Sequence, residues 1–120
     1  MNIETLREYC LSKKGATECF PFDATTLVFK VGNKMFALTD LEGDLTVNLK
    51  CEPEKAITLR EEFSFVLPGY HMNKNHWNTI NIDESTPDKL IMNFIDDSYR
   101  LVFKSLTKIL QLEIENQNQL

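Results

Sequence analysis

The sequence predicts an α+β fold: an antiparallel sheet of about five strands with N- and C-terminal helices packed on one face. Three observations lead there. Alternating and β-branched runs recur between residues 26 and 82. Helical spacing of apolar residues is confined to the two ends and one short insert. The first three strands are separated by short turn signals at Gly32-Asn33 and at 41–44, as an antiparallel meander requires.

The elements follow in order. A first helix is expected over 3–13, with Asn2 as N-cap, Leu6, Tyr9 and Cys10 on one face, and Gly15 as its stop. GATECFPFDATT (15–26) reads as a loop fixed by Pro21 and anchored by Phe20 and Phe22. TLVFKV and KMFALTD are strands joined by a tight turn at Gly32-Asn33. LTVNLK (45–50) is a third, with Leu45, Val47 and Leu49 on one face, so the three form a meander. Pro53 opens a short helix, PEKAITLREEF, since proline suits the first turn and the helix dipole favours the acids near it. SFVLPG is a short strand ended by Pro68-Gly69. HWNTINID alternates, placing Trp77, Thr79 and Asn81 on one face and Asn78, Ile80 and Ile82 on the other. In ESTPDKL, Ser85 or Thr86 is the expected cap and Pro87 the first residue of the C-terminal helix, with IDDS (95–98) as a place where it could divide. One domain is expected over 1–112, followed by a polar tail, EIENQNQL, over 113–120.

Composition narrows the function classes. With 42% hydrophobic and 26% charged residues, the 120-residue chain can build a real core. No apolar run reaches the roughly 20 residues of a membrane span. MNIETLREYCLSKKG has no basic start followed by an apolar stretch, so the cytosol is the expected compartment; a monomer is also expected. Cys10, Cys19 and Cys51 are odd in number and form no CxxC, which argues against a disulfide framework or a zinc knuckle.

The chemistry gathers in YHMNKNHWN (70–78), which holds both histidines and the only tryptophan and contains no carboxylate. His71 and His76 are five apart, so on a strand or a helix they diverge and do not converge on one metal ion, though a loop could fold them together. The carboxylate pairs 61–62 and 96–97 are adjacent residues that point apart. The four glycines are scattered and cradle no phosphate, and the serines sit in no nucleophile motif. No catalytic residue, metal site or cofactor is therefore assigned.

A net charge of −5 speaks mildly against general nucleic-acid binding, yet three stretches lack acids: 24–39, 63–82 and 98–112. Lys30 and Lys34 flank the tip of the first hairpin. Arg100, Lys104 and Lys108 recur every four residues and would line one helix stripe. Lysine meets phosphate, asparagine can pair with an adenine edge, and an aromatic ring can stack on a base. The plainer alternatives are a solvated stripe on the helix and a structural anchor at Trp77.

FPFDATTLVFKVGNKMFAL, PEKAITLREEF, PGYHMNKNHWNTI and PDKLIMNFIDDSYRLV, in that order and spacing, resemble the MmcQ/YjbR family over residues 3–108. The resemblance implies a small bacterial cytosolic protein with a CyaY-like fold and DNA binding through a double wing of β-hairpins. The family signature falls on Lys34, His71, Asn73, Lys74, His76 and Trp77. Asn75 stands where a basic residue is common, which thins the charge. Frataxin-like iron binding is not implied, because only Glu4 and Glu8 are available on the first helix.

Three readings of the segment remain open. As a non-enzymatic DNA-binding module, the protein would meet phosphates with Lys30, Lys34, Lys74 and Arg100 and set Asn73, Asn75 and Trp77 near bases. As a module for a small anionic ligand or a protein partner, it would have a pocket walled by Trp77 and Tyr70, with Lys74 and His76 reading an anion. In the third reading the segment braces its own loop, its polar side chains satisfying backbone groups.

Overall fold

The structure is a computed structural model and describes residues 1–117. Six strands form one antiparallel sheet, ordered β1-β2-β3-β4-β6-β5: β1 (Thr17–Cys19), β2 (Thr26–Val31), β3 (Lys34–Asp40), β4 (Thr46–Lys50), β5 (Val66–Pro68) and β6 (Trp77–Asn81). Helices α1 (Ile3–Leu11), α2 (Pro53–Glu62), α3 (Asp88–Lys104) and α4 (Lys108–Asn116) complete the α+β fold. The sixth strand is β1, which lies in the stretch read as a loop. It pairs Thr17 with Lys30 and Cys19 with Val28.

Local chemistry explains the boundaries. Asn2 caps α1 by accepting the Thr5 N–H at 2.9 Å, and Thr5 Oγ1 accepts the Asn2 N–H at 3.0 Å. Gly32 and Asn33 both have positive φ, 56° and 66°, as a two-residue hairpin turn requires. A side chain at Gly32 would also collide with Leu106, since a Cβ there would lie 2.6 Å from Leu106 Cδ1.

The helices cover one face. Leu6 and Cys10 from α1, Ala56 and Leu59 from α2, and Ile91, Ile95 and Val102 from α3 pack against the alternate residues Phe29, Val31, Val47, Leu49 and Ile80 of the strands. The opposite face carries a small second cluster of Val28, Leu38 and Trp77, flanked by Cys19, Met35 and Met72.

One irregularity joins the two layers. Phe29 pairs with Ala37 and Lys30 with Met35, so Phe36 is an extra residue in β3, a β-bulge. Both Phe36 and Ala37 thereby enter the helical-face core. Ser98 of α3, fully buried, donates its hydroxyl to the Phe36 carbonyl at 2.6 Å and accepts the Lys50 N–H at 2.8 Å. One side chain thus ties α3 to β3 and β4.

Three further expectations differ from the structure. α3 does not divide at IDDS. Ile95 and Ser98 point into the core, while Asp96 pairs with Lys13, and Asp97 with Lys55 and Arg100, on the outer side. The division falls at residues 105–107, where Thr107 caps α4 by accepting the Leu110 N–H at 3.2 Å. Neither Ser85 nor Thr86 caps α3, whose N-cap is Pro87; the Thr86 hydroxyl donates instead to the Asn81 carbonyl. The chain beyond 112 does not begin as a frayed tail: α4 runs to Asn116, and Ile114 is buried against Gly15. Residues 118–120 of the expected tail lie outside the described residues.

Ser98→Ala removes a donor from a buried carbonyl and an acceptor from a buried N–H. It is expected to cost about 1–3 kcal/mol in urea unfolding without changing the slope. An unchanged midpoint would mean that water or a backbone shift replaces the hydroxyl.

Candidate ligand-binding groove

The alternation expected in β6 holds. Asn78 and Ile80 face the helices, where Asn78 Nδ2 donates to the Ala56 carbonyl at 3.3 Å. Trp77 faces the other way but is only 8% exposed, packed with Val28 and Leu38. It is an anchor on the open face and presents no surface for stacking on a base.

The loop from Gly69 to His76 is folded tightly over that face. Gly69 donates to the Trp77 carbonyl at 2.9 Å, and a Cβ there would come within 2.8 Å of Trp77. The carbonyl of Asn73 accepts the N–H groups of His76 and Trp77, and its side-chain oxygen accepts the Asn75 N–H at 2.9 Å. Lys74 Nζ donates to the Gly69 carbonyl at 3.0 Å, while Arg60 donates to the Lys74 carbonyl at 3.1 Å. Asn73 and Lys74 therefore brace the loop, as the third reading of the segment has it. The side chains of Asn75 and His76 are exposed on its outer side.

The braced loop holds its first residues above the sheet. Tyr70 N–H donates to Thr79 Oγ1 at 2.9 Å, and the Thr79 hydroxyl donates to Asn48 Oδ1. His71 takes a left-handed conformation, φ 58°, with its ring 4.0 Å from that of Tyr70. Such a conformation is uncommon outside glycine and concentrates at functional sites.

A groove of about 630 Å³ results on the open face. Cross-strand pairing defines its floor: Leu38 opposes Asn48, Asn48 opposes Thr79, and Thr79 opposes Leu67. Tyr70 and His71 stand at one end, and Phe22 and Asp23, from the loop before β2, at the other. Phe22 and Tyr70 are 64% and 69% exposed, unusual for aromatic rings that line a concavity. Asp23 is held below the usual carboxylate range by the N–H groups of Thr26 and Thr25 and their hydroxyls. No lysine or arginine lines the groove among the described residues.

The basic candidates do not converge. Lys30 opposes Met35 and so lies toward the open face. Lys34 reaches behind the sheet to Ser105 at 3.3 Å. Arg100 pairs with Asp97 on α3 at 3.0 Å. The helix ends at Lys104, so Lys108 belongs to α4 and the expected stripe is broken. The pocket expected beside Trp77 with Lys74 and His76 is displaced: Tyr70 and His71 line the groove, but Trp77, Lys74 and His76 do not. Sequence reasoning missed Asn48, Thr79 and Asp23. Period-two alternation opposite Val47 and Ile80 is the signal that points to Asn48 and Thr79.

Cys10 and Cys51 offer little nucleophilic chemistry. Burial pushes Cys10 up to about 12 and also raises Cys51. Among the described residues, no three His, Cys, Asp or Glu side chains gather where they could hold a metal ion.

Fold and groove together define a class: a small α+β protein with helices on one sheet face and a walled groove on the other. The chain belongs to the YjbR family, whose model matches residues 11–101. It is 39% identical over 101 residues to the Escherichia coli K12 protein YjbR, covering 83% of this chain and 86% of that one. It is 36% identical over 106 residues to YbdF of Escherichia coli O157:H7, covering 88% and 87%. Among solved structures, the Deinococcus radiodurans protein DR2400, with domain DUF419, superposes with a TM-score of 0.89 at 40% identity, covering 95% of this chain and 88% of that one. A Pseudomonas syringae protein gives 0.74 at 27% identity, covering 85% and 99%.

The strain at His71 is testable. His71→Gly is expected to hold or slightly raise thermal stability, because glycine takes positive φ freely. His71→Val is expected to lower it by about 1–2 kcal/mol, since a branched side chain crowds the left-handed backbone. Equal stability of the two variants would show that the backbone there relaxes.

Proposed function

We propose that this YjbR-family protein is a binding module, without a reaction of its own, whose small ligand lies in the groove on the open face of the sheet. The observation that carries this reading is the combination of an ordered polar floor with exposed aromatic ends. Its volume falls within the range of small-molecule sites, and its lining is largely apolar with a few placed polar groups. The Tyr70–Thr79–Asn48 chain of hydrogen bonds fixes the floor in advance, which lowers the ordering cost of binding.

The DNA-binding reading takes the hairpin over 24–39 and the segment around 70–80 as its wings. Against it, the groove presents Asp23 and Asp40 and, among the described residues, no lysine or arginine, so a phosphate backbone laid there would meet like charge. A ligand between the wings suits the charge better than a duplex.

A protein NMR titration with a fragment set tests the proposal. Binders are expected to shift the amides of Asn48, Leu67, Tyr70, His71 and Thr79, and Phe22→Ala with Tyr70→Ala to weaken them about tenfold. If no fragment perturbs these residues, while labelled duplex DNA binds with a steep salt dependence that Lys74→Ala reduces, the ligand reading is wrong and the wing reading takes its place.

A further inference from the structure

We infer that the groove's ligand is a small organic cation: an aromatic or apolar body carrying a protonated amine at the Asp40 end. The inference rests on the groove reading above and adds the class of ligand.

Charge complementarity selects the cation. Thr26 opposes Asp40 across β2 and β3, and its hydroxyl also donates to Asp23 Oδ2 at 3.1 Å. Both carboxylates therefore flank Thr26 at one end of the groove. The backbone N–H groups of Thr26 and Thr25 hold the Asp23 carboxylate below its ordinary pKa. Asp40 Oδ1 accepts the Glu42 N–H at 2.9 Å, and no hydrogen bond occupies Oδ2 among the described residues. Among the described residues no lysine or arginine lines the groove to offset these two carboxylates. Phe22 beside it and Tyr70 at the far end offer ring faces, which attract ammonium groups and stack on planar bodies.

Register sets the spacing. Asp40 lies two residues along β3 from Leu38, whose row with Asn48 and Thr79 forms the middle of the floor. Two residues of strand span about 7 Å. An amine at Asp40 thus leaves its body over Leu38 and Asn48. With Asn48 Oδ1 taken by Thr79, the Asn48 Nδ2 is the donor left to meet an acceptor on that body.

The test compares three probes of one shape: 3-phenylpropylamine, 3-phenylpropanol and 3-phenylpropanoate. Each is titrated into the full chain and followed by the shifts of Asn48, Tyr70 and Thr79. The amine is expected to bind about tenfold more tightly than the alcohol, and the carboxylate most weakly. Asp40→Asn keeps an oxygen for the Glu42 N–H. It is expected to cut the amine's advantage over the alcohol several-fold, Asp23 keeping the remainder. If the alcohol or carboxylate binds in the groove as well as the amine, the cation assignment falls and the groove reading stands. If none of the three perturbs the groove in folded protein while other fragments do, the cation assignment falls and the groove reading stands. Shifts of the same residues with protein concentration alone would give the face to a second copy and overturn the assignment as well.

Discussion

The hydroxyl of Ser98 makes the contact on which the rest of the arrangement depends. A β-bulge leaves a carbonyl without a ladder partner, and in a buried strand such a group costs free energy unless a side chain meets it. Ser98 meets the Phe36 carbonyl and in the same place takes the Lys50 N–H. The bulge can therefore sit in the middle of the sheet. It turns both Phe36 and Ala37 toward the helices and leaves Met35 and Leu38 on the other side. The large aromatic pairing of the core, Phe36 edge-on to Tyr99 at 5.3 Å, follows from that turn. The helices then pack on one face, and the opposite face is left to loops.

Two loops close that face only in part. Met72 and Trp77 fill the half of it nearest the β2–β3 turn, while the half nearest Thr26 and Asp40 stays open. The segment YHMNKNHWN divides its labour accordingly. Asn73 and Lys74 spend their polar atoms on the loop's own backbone. Tyr70 and His71, held by that bracing, face the groove. The strained backbone of His71 persists because the bonds on either side of it, Tyr70 to Thr79 and Met72 to Gly69, fix the chain. A family signature rich in lysine and histidine thus marks a scaffold as much as a contact surface.

Much of this was legible in the sequence. The strand alternation placed Trp77 and Thr79 opposite Ile80, and the turn at Gly32-Asn33 and the helix at Pro53 fell where their chemistry put them. β1 escaped because three residues, TEC, are too few to show a period. The division of the C-terminal helices was misplaced because Asp96 and Asp97 read as a break, whereas on a continuous helix they are surface partners for Lys13, Lys55 and Arg100. The basic candidates were grouped by the absence of nearby acids in sequence. In the fold, Lys34 and Arg100 each found a partner on the helical side and Lys74 found one in its own loop. The groove itself is a tertiary product: Phe22, Asn48 and Tyr70 lie on separate segments and meet only when the two edge hairpins are in place.

The central claim is that the open face is a built site for a small molecule. Crystallographic fragment soaking of the full chain addresses it most directly, because it locates binders without presuming their chemistry. Fragments are expected to gather over Leu38 and Asn48 between Phe22 and Tyr70, with their charged amines toward Asp40. Fragments that collect instead in the cleft around Arg100 on the helical side, with the open face empty, would contradict it.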